Sequence, residues 1–401
     1  MANLTTFMTP YQLAPVLAGV QNALPVVRPN WLQSFFGNVQ STENTRVNLD
    51  VEFGVKNVMG HFVAPNSDVT PIKLPDYGTK EFYFAYSKEA IDSDDFEVLN
   101  NRQIGQPFGQ VDVMANKALR FARKVALVEQ RFENLFEKTA AEIALYGGYQ
   151  ASGEKHPTVR YDFGRTVIST YAQLSTAKVI PSVNLTTTDV TAPWDSSTTV
   201  LPKIATSGSF TQGDKAWSTV NIDAKKATPV QDVIRIWETA KVRSGSNAVV
   251  MSDDAYAAFN YDLQKNYPIA SDRTIDSLLT VAQDYLPRAQ AYKGLTFRRV
   301  YPVLETGETI AIYTYNAVYN DRITGVETSY IPSGWVLSLP PASEGLKIYG
   351  RIMHPRANWQ TQPRWMNYWQ NSKTGLEEWE YHTSWVLAPQ NVDNFVAWKV
   401  L

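Results

Sequence analysis

From Asp112 to Tyr146 the sequence runs without a proline or a glycine, inside a chain otherwise written largely as strands. Apolar side chains recur at Phe121, Val125, Val128, Phe132, Leu135, Phe136, Ile143 and Tyr146. That three- and four-residue spacing defines one face of a helix. Between them stand Lys117, Arg120, Arg123, Lys124, Glu129, Arg131, Glu133, Glu137, Lys138 and Glu142, which leave the other faces to water or partner chains. Gly147 and Gly148 provide the stop. At the rise of an α-helix the segment spans roughly 50 Å, well beyond the usual three or four turns. A helix of that length acts as a girder around which the rest must be arranged.

Residues 1–49 read as an N-terminal arm with Pro10, Pro15, Pro25 and Pro29, a short helix, and Trp31, Phe35 and Phe36 as apolar residues able to dock. Val47, Leu49, Val51, Phe53 and Val55 share one phase of a strand, and Glu81–Tyr86 reads as its return. The strand, a Pro- and Gly-containing tip and the second strand make a long hairpin-like loop just before the helix. Thr158–Phe163 is a further strand, and the polar stretch 182–216, too long for an ordinary connection, is an insertion, an ordered excursion or a mobile loop.

A compact α/β region begins near Pro229. Its helices are expected at 230–242, at 255–263 behind the capping sequence Ser252-Asp253-Asp254, and at 275–285. Strands are expected at 247–251, 296–301 and 309–315. The last third reads as strands at 334–339, 346–352, 380–387 and 395–400. An aromatic-rich excursion at 354–379 carries Trp359, Trp365, Trp369 and Trp379.

The 401 residues carry 37 basic and 39 acidic side chains, a net charge of -2 that does not make a charge-driven nucleic-acid binder. With no cysteine, disulfides, thiolate metal sites and cysteine nucleophiles are excluded. Met1–Thr9 lack the basic region and apolar run of a signal peptide, and no apolar stretch is long enough to span a membrane, so cytoplasmic synthesis without membrane partners is expected. An aromatic share of 12% fits either a Trp-rich core or extensive surface buried between partners.

Enzyme chemistry has little to work with. His61, His156, His354 and His382 are the only histidines, and none lies three or four residues from another, so no metal site is assigned. Gly147-Gly148 and Gly345-Leu346-Lys347 are punctuation, not phosphate cradles. The carboxylates Asp92, Asp94, Asp95 and Glu97 crowd one polar stretch and read as a solvated loop, whereas a glycosidase needs its pair on opposite sides of a sugar. No serine sits in a nucleophile elbow. No catalytic residue and no cofactor is assigned, and the weight moves to a structural role.

The order of elements, together with several local motifs, resembles the major capsid proteins of tailed bacteriophages, the HK97-type fold, and especially the lambda-like major head protein family. The motifs are Tyr161-Asp162-Phe163-Gly164-Arg165 after the long helix; Trp217 with 229–242 and the strand 247–251; Gly345-Leu346-Lys347-Ile348-Tyr349-Gly350; and the closing run Ser384–Leu401 with Leu387-Ala388-Pro389 and Asp393-Asn394-Phe395-Val396. Each is moderately specific, and their order carries the resemblance over most of the chain.

The resemblance implies an α+β fold: arm 1–49, extended loop 50–105, and a peripheral domain 106–228 with its spine helix at 112–146. An axial domain at 229–330 and peripheral return strands at 331–401 would follow. The lengths of 182–216 and 354–379 have no match in that pattern. The implied function is a non-enzymatic subunit forming hexamers and pentamers of an icosahedral shell around double-stranded phage DNA, which it contacts non-specifically. A portal, a separate scaffolding protein and a decoration protein are its implied partners, and the virion its implied location, after assembly in the bacterial cytoplasm. Assembly contacts are expected at Trp31 and Phe35 in the arm, His61 and Phe62 in the loop, and Arg120, Arg123, Lys124 and Glu129 on the helix. Phe121, Val125, Val128, Phe132 and Phe136 should form the helix core, and Arg165 a structural ion pair. An encapsulin-like compartment shell, a carbohydrate-active protein and another virion component remain open alternatives.

Overall fold

A computed structural model describes residues 30–53, 76–93, 113–153, 156–163, 187–189, 208–210, 216–246, 248–267, 291–303, 307–321, 325–340, 345–370 and 377–401. After a 3₁₀ turn at Leu32–Phe36 come β1 (Asn38–Ser41), β2 (Arg46–Phe53), β3 (Asp76–Tyr83) and β4 (Ala85–Ser93). The long helix α1 (Val113–Tyr146) follows, then β5 (Gly148–Gly153), β6 (His156–Asp162), β7 (Thr187–Asp189) and β8 (Gly208–Phe210). The middle of the chain holds α2 (Thr219–Asp223), α3 (Pro229–Ser244), β9 (Ala248–Met251), α4 (Asp253–Asn266), β10 (Leu295–Val303) and β11 (Glu308–Tyr315). Last come β12 (Val318–Asn320), β13 (Glu327–Ser329), β14 (Trp335–Ser338), β15 (Gly345–Tyr349), β16 (Trp365–Gln370), β17 (Glu377–Pro389) and β18 (Val396–Lys399).

The observed α1 starts one residue inside the predicted segment and stops where predicted. Gly147 adopts φ +76°, the left-handed region where a glycine meets no steric penalty, and its N–H donates to the Ile143 carbonyl. The core stripe is Ala122, Val125, Val128, Phe132, Phe136, Ala140 and Ile143. From Thr139 to Tyr146 nearly every residue is buried, so the last two turns are encased instead of lying on a surface. Leu135, expected on the apolar stripe, is 37% exposed, because it sits to one side of the line through Phe132 and Phe136.

Two sheets flank this helix. The first, in the order β1-β15-β17-β16, is extended by β4, which pairs antiparallel with β17 from Ala85↔Trp385 to Ser93↔Glu377. The second has the order β10-β11-β9-β14-β18-β8-β7. Its strands are short apolar runs, the pattern of a sheet covered on both faces. The period-two alternation divides them. Val249, Met251, Ile310, Ile312, Val336, Val396 and Trp398 face α3 and α4, while Val250, Ala311, Tyr313, Tyr315, Leu337 and Ala397 join the core around α1.

Three expectations change. The return strand of the loop is two strands: β3 pairs with β2, and after a break at Phe84 the chain passes to β17 as β4. The segment 331–401 is divided between the sheets, because β14 and β18 belong to the second, with β9 and β11. The polar stretch 182–216 supplies β7 and β8 to that same sheet. The predicted helix 275–285, the tip of the long loop and the Asp94–Glu97 cluster lie outside the described residues.

Candidate functional site

Where the two sheets and the N-terminal turn converge on α1, the helix carries a carboxylate that the sequence placed on its polar side. Glu137 is fully buried. It accepts hydrogen bonds from the backbone N–H groups of Leu32 (2.8 Å) and Gln33 (2.9 Å), and from the Tyr315 hydroxyl at 2.5 Å. One side chain therefore ties α1 to the start of the 3₁₀ turn and to β11 of the second sheet. Burial pushes the carboxyl up to about 7, against the opposing pull of Tyr315 and of the N–H groups of the turn. Around it Trp31 packs edge-on to Phe35 and 5.7 Å from the Tyr315 ring, and Phe36 stacks on Phe395.

One turn earlier the helix is held through ions by Arg364, the residue before β16. Arg364 donates to Glu133 at 2.6 Å and also reaches Glu129, while Lys347 of β15 lies 3.7 Å above the Phe136 ring. Five residues beyond Glu137, Glu142, largely buried and also raised to about 7 by burial, faces Lys138 at 3.9 Å. Toward the outer face Arg131 pairs with Glu89 of β4 at 2.9 Å.

A second polar cluster fastens β4 to β17. The Tyr86 hydroxyl lies 2.5 Å from His382 Nδ1, and His382 Nε2 lies 3.3 Å from Glu380, which Lys88 contacts at 2.5 Å. A carboxylate on the Nε2 side places the ring proton there, leaving Nδ1 to accept from Tyr86. Burial depresses the histidine and raises the tyrosine to about 12. Set within the antiparallel pairing of β4 with β17, the cluster acts as a strand fastener. A separate cleft of about 550 Å³ lies between β1, β2, β15 and the end of β17, lined by Gln40, Asn44, Leu49, Phe163, Ile348 and Pro389 among others. No group of three acidic or histidine side chains able to hold a metal occurs among the described residues.

The predicted contact residues separate. Trp31 and Phe35, expected to meet another subunit, are buried in this chain's own core, each 3% exposed. Glu129 is engaged by Arg364 within the chain. Arg123 is exposed and Lys124 half-buried on the outer side of α1, next to exposed Leu127. Val125, Val128, Phe132 and Phe136 are core, as expected. Arg120 and Phe121 lie within α1, their side chains outside the description, and His61, Phe62 and Arg165 lie outside the described residues. Sequence reasoning missed Glu137 and Tyr315. The available signal was an acidic residue directly after Phe136, inside the arc of the apolar stripe.

No family profile matches the sequence, and no curated protein matches it. Solved structures do. A protein assigned as the capsid protein of a prophage of E. coli CFT073 superimposes with a TM-score of 0.58 over 98% of both chains, at 13% identity. A phage-related protein from Bordetella bronchiseptica RB50 gives 0.42 over 96% of both chains at 12% identity. The mature capsid of bacteriophage PhiM1 gives 0.37 over 94% of this chain and 88% of that one, at 10% identity. The chain has the fold of the first of these, an α+β arrangement of the HK97 type.

Proposed function

We propose that this chain is the major capsid protein of a tailed bacteriophage, self-assembling through hexamers and pentamers into an icosahedral shell around double-stranded DNA. The observation that carries this reading is the match in fold, end to end, to a prophage capsid protein. The architecture supports it. A 34-residue helix braced by two sheets makes a stiff subunit, and a stiff subunit transmits many modest contacts into a strong closed shell. The near-neutral charge suits non-specific contact with packaged DNA. In this reading residues 50–105 form the extended loop and residues 229–330 the axial domain, and Arg120, Arg123 and Lys124 of α1 contribute to a subunit contact. A separate scaffolding protein, a portal and a decoration protein complete the particle, which assembles in the bacterial cytoplasm.

Negative-stain electron microscopy of the purified chain, alone and with a supplied scaffolding protein, tests the proposal. Closed polyhedral shells or hexagonal sheets are expected, with nuclease-protected DNA in particles recovered from infected cells. Shells filled with protein would move the assignment to a compartment shell. A monomer under both conditions would overturn it.

A further inference from the structure

The turn that follows Ile352 presents a tryptophan to the outside and fixes it there. Trp359 is 49% exposed and Met353, at the start of the turn, 51%. Asn358 and Trp359 both adopt the left-handed region, at φ +49° and +57°, an outlier for a side chain as bulky as tryptophan. Backbone bonds over-determine this conformation. Ala357, Asn358 and Gln360 donate to the carbonyls of His354, Pro355 and Ala357 at 3.0 Å each, Ile352 donates to Gln360 at 3.1 Å, and Arg351 bridges to Thr361. An indole held in this way has little freedom left to lose on binding, and tryptophan is the residue most enriched among the anchors of protein contacts.

The turn is fastened to the border of the cleft between β1, β2, β15 and the end of β17. Thr361 Oγ1 donates at 3.1 Å to the carbonyl of Thr42, which lines the cleft, and Arg351 pairs with Glu43 at 3.4 Å. Leu49, Phe163, Ile348 and Pro389 give the cleft apolar walls, and the exposed amides of Gln40 and Asn44 supply carbonyl acceptors. At about 550 Å³ it has room for an indole, whose ring suits the walls and whose N–H suits the amides. The charges are also complementary. From Arg351 to Leu376 every charged side chain is basic, and Arg356 stands exposed on the turn. At the cleft, Arg46 is paired with Glu81, and the Glu43 carboxylate keeps its side chain 84% exposed.

We propose that Trp359 of one copy of this chain inserts into the cleft between β1, β2 and β15 of a second copy, with Arg356 facing Glu43 of that copy. A projection and a hollow side by side are self-complementary, so the contact is made twice across a two-fold axis. The choice of a second copy rests on the self-assembling reading above and adds to it a named contact.

Photo-cross-linking tests it. The full-length chain with benzoylphenylalanine in place of Trp359 is mixed with an equal amount of isotope-labelled wild type, alone and with a supplied scaffolding protein. Cross-links from the unlabelled 359 peptide to labelled peptides holding Gln40–Leu49 or Leu346–Ile348 are expected. Trp359→Ala should raise the concentration needed for association on the order of tenfold or more, with the urea midpoint unchanged. Asn48→Trp, at an exposed position that lines the cleft, fills it from within its own chain and should have the same effect. Together the two substitutions should cost little more than either alone, because both remove one contact. Wild-type association in Trp359→Ala, losses that add in full, or cross-links that reach other surfaces only, overturn the contact and leave the shell reading standing. A wild-type chain that neither assembles nor cross-links overturns both.

Discussion

The Tyr86 hydroxyl on β4 lies 2.5 Å from Nδ1 of His382 on β17, joining residues 296 positions apart across the β4–β17 pair. His382 is only 2% exposed, so its acceptor nitrogen has no water to replace the tyrosine. Tyr86→Phe should destabilise the fold by about 1–3 kcal/mol, the usual penalty for leaving a buried polar atom without its partner. Equilibrium urea unfolding at pH 7.5 measures it. The pH dependence has a definite sign. Burial lowers the folded pKa of His382 below the ordinary 6.5. Its contribution is therefore fully present above pH 6.5 and declines as pH falls below it, because the unfolded chain takes up the proton first. His382→Gln should remove that part of the acid sensitivity.

Glu142 acts in the opposite direction. Its folded pKa is raised, chiefly by burial, to about 7 from the ordinary 4.5. Its contribution is full below pH 4.5 and is lost as pH rises through 7, a swing of about 3 kcal/mol. Unfolding free energies of wild type and Glu142→Gln between pH 4.5 and 8 should therefore diverge, with the variant less sensitive to rising pH. Parallel curves would show that Lys138 already holds the carboxylate charged in the folded chain.

Gly345 opens β15 directly beneath Phe36, and a Cβ built on it would overlap the Phe36 ring. Phe36 is itself held by stacking on Phe395, 5.9 Å away, so the ring has little room to retreat. Gly345→Ala should cost about 1–3 kcal/mol through overpacking. The strain falls on the Leu32–Phe36 turn, so exchange there should rise at every pH. Thermal unfolding checks the first effect and hydrogen exchange the second. Gly345→Ala combined with Phe36→Leu should recover part of the loss, since the shorter side chain vacates the space the new methyl needs.

Much of this architecture is legible in the sequence, for physical reasons that also explain the rest. The helix was readable because Val125, Val128, Phe132 and Phe136 repeat at its period and Gly147 ends it. β9, β11 and α4 were readable from short apolar runs and from Ser252, whose hydroxyl caps Ala255. What could not be read is which sheet a strand joins. Trp335–Ser338 and Gly345–Tyr349 look alike as runs, yet pair with different neighbours, because pairing depends on contacts remote in sequence. The arm illustrates the same limit. Trp31 and Phe35 are apolar enough to serve an interface or a core, and it is Glu137, about a hundred residues away, that brings them into the core. Local pattern identified the acidic residue as surface; its partners made it interior.

The outer side of α1 is where a subunit contact can be sought without disturbing the fold. Arg123 is exposed, and Leu127, one turn on, is 57% exposed, an apolar side chain beside a cation on a rigid element. Truncating or reversing such residues in an isolated chain changes stability by less than about 0.5 kcal/mol. In a shell, each substitution is repeated at every copy, so a modest loss per contact becomes a large loss in assembly. Arg123→Glu and Leu127→Asp should therefore unfold at the wild-type urea midpoint yet yield fewer closed particles, seen by sedimentation and negative stain at matched concentration. Gln130→Glu, on the same exposed side and without an apolar or cationic group to lose, serves as the control. If both variants assemble like the control, this face of the helix points into open space and the contacts lie elsewhere. If only Leu127→Asp fails, the contact is apolar and should persist at high salt. If only Arg123→Glu fails, it is electrostatic and should weaken as salt rises.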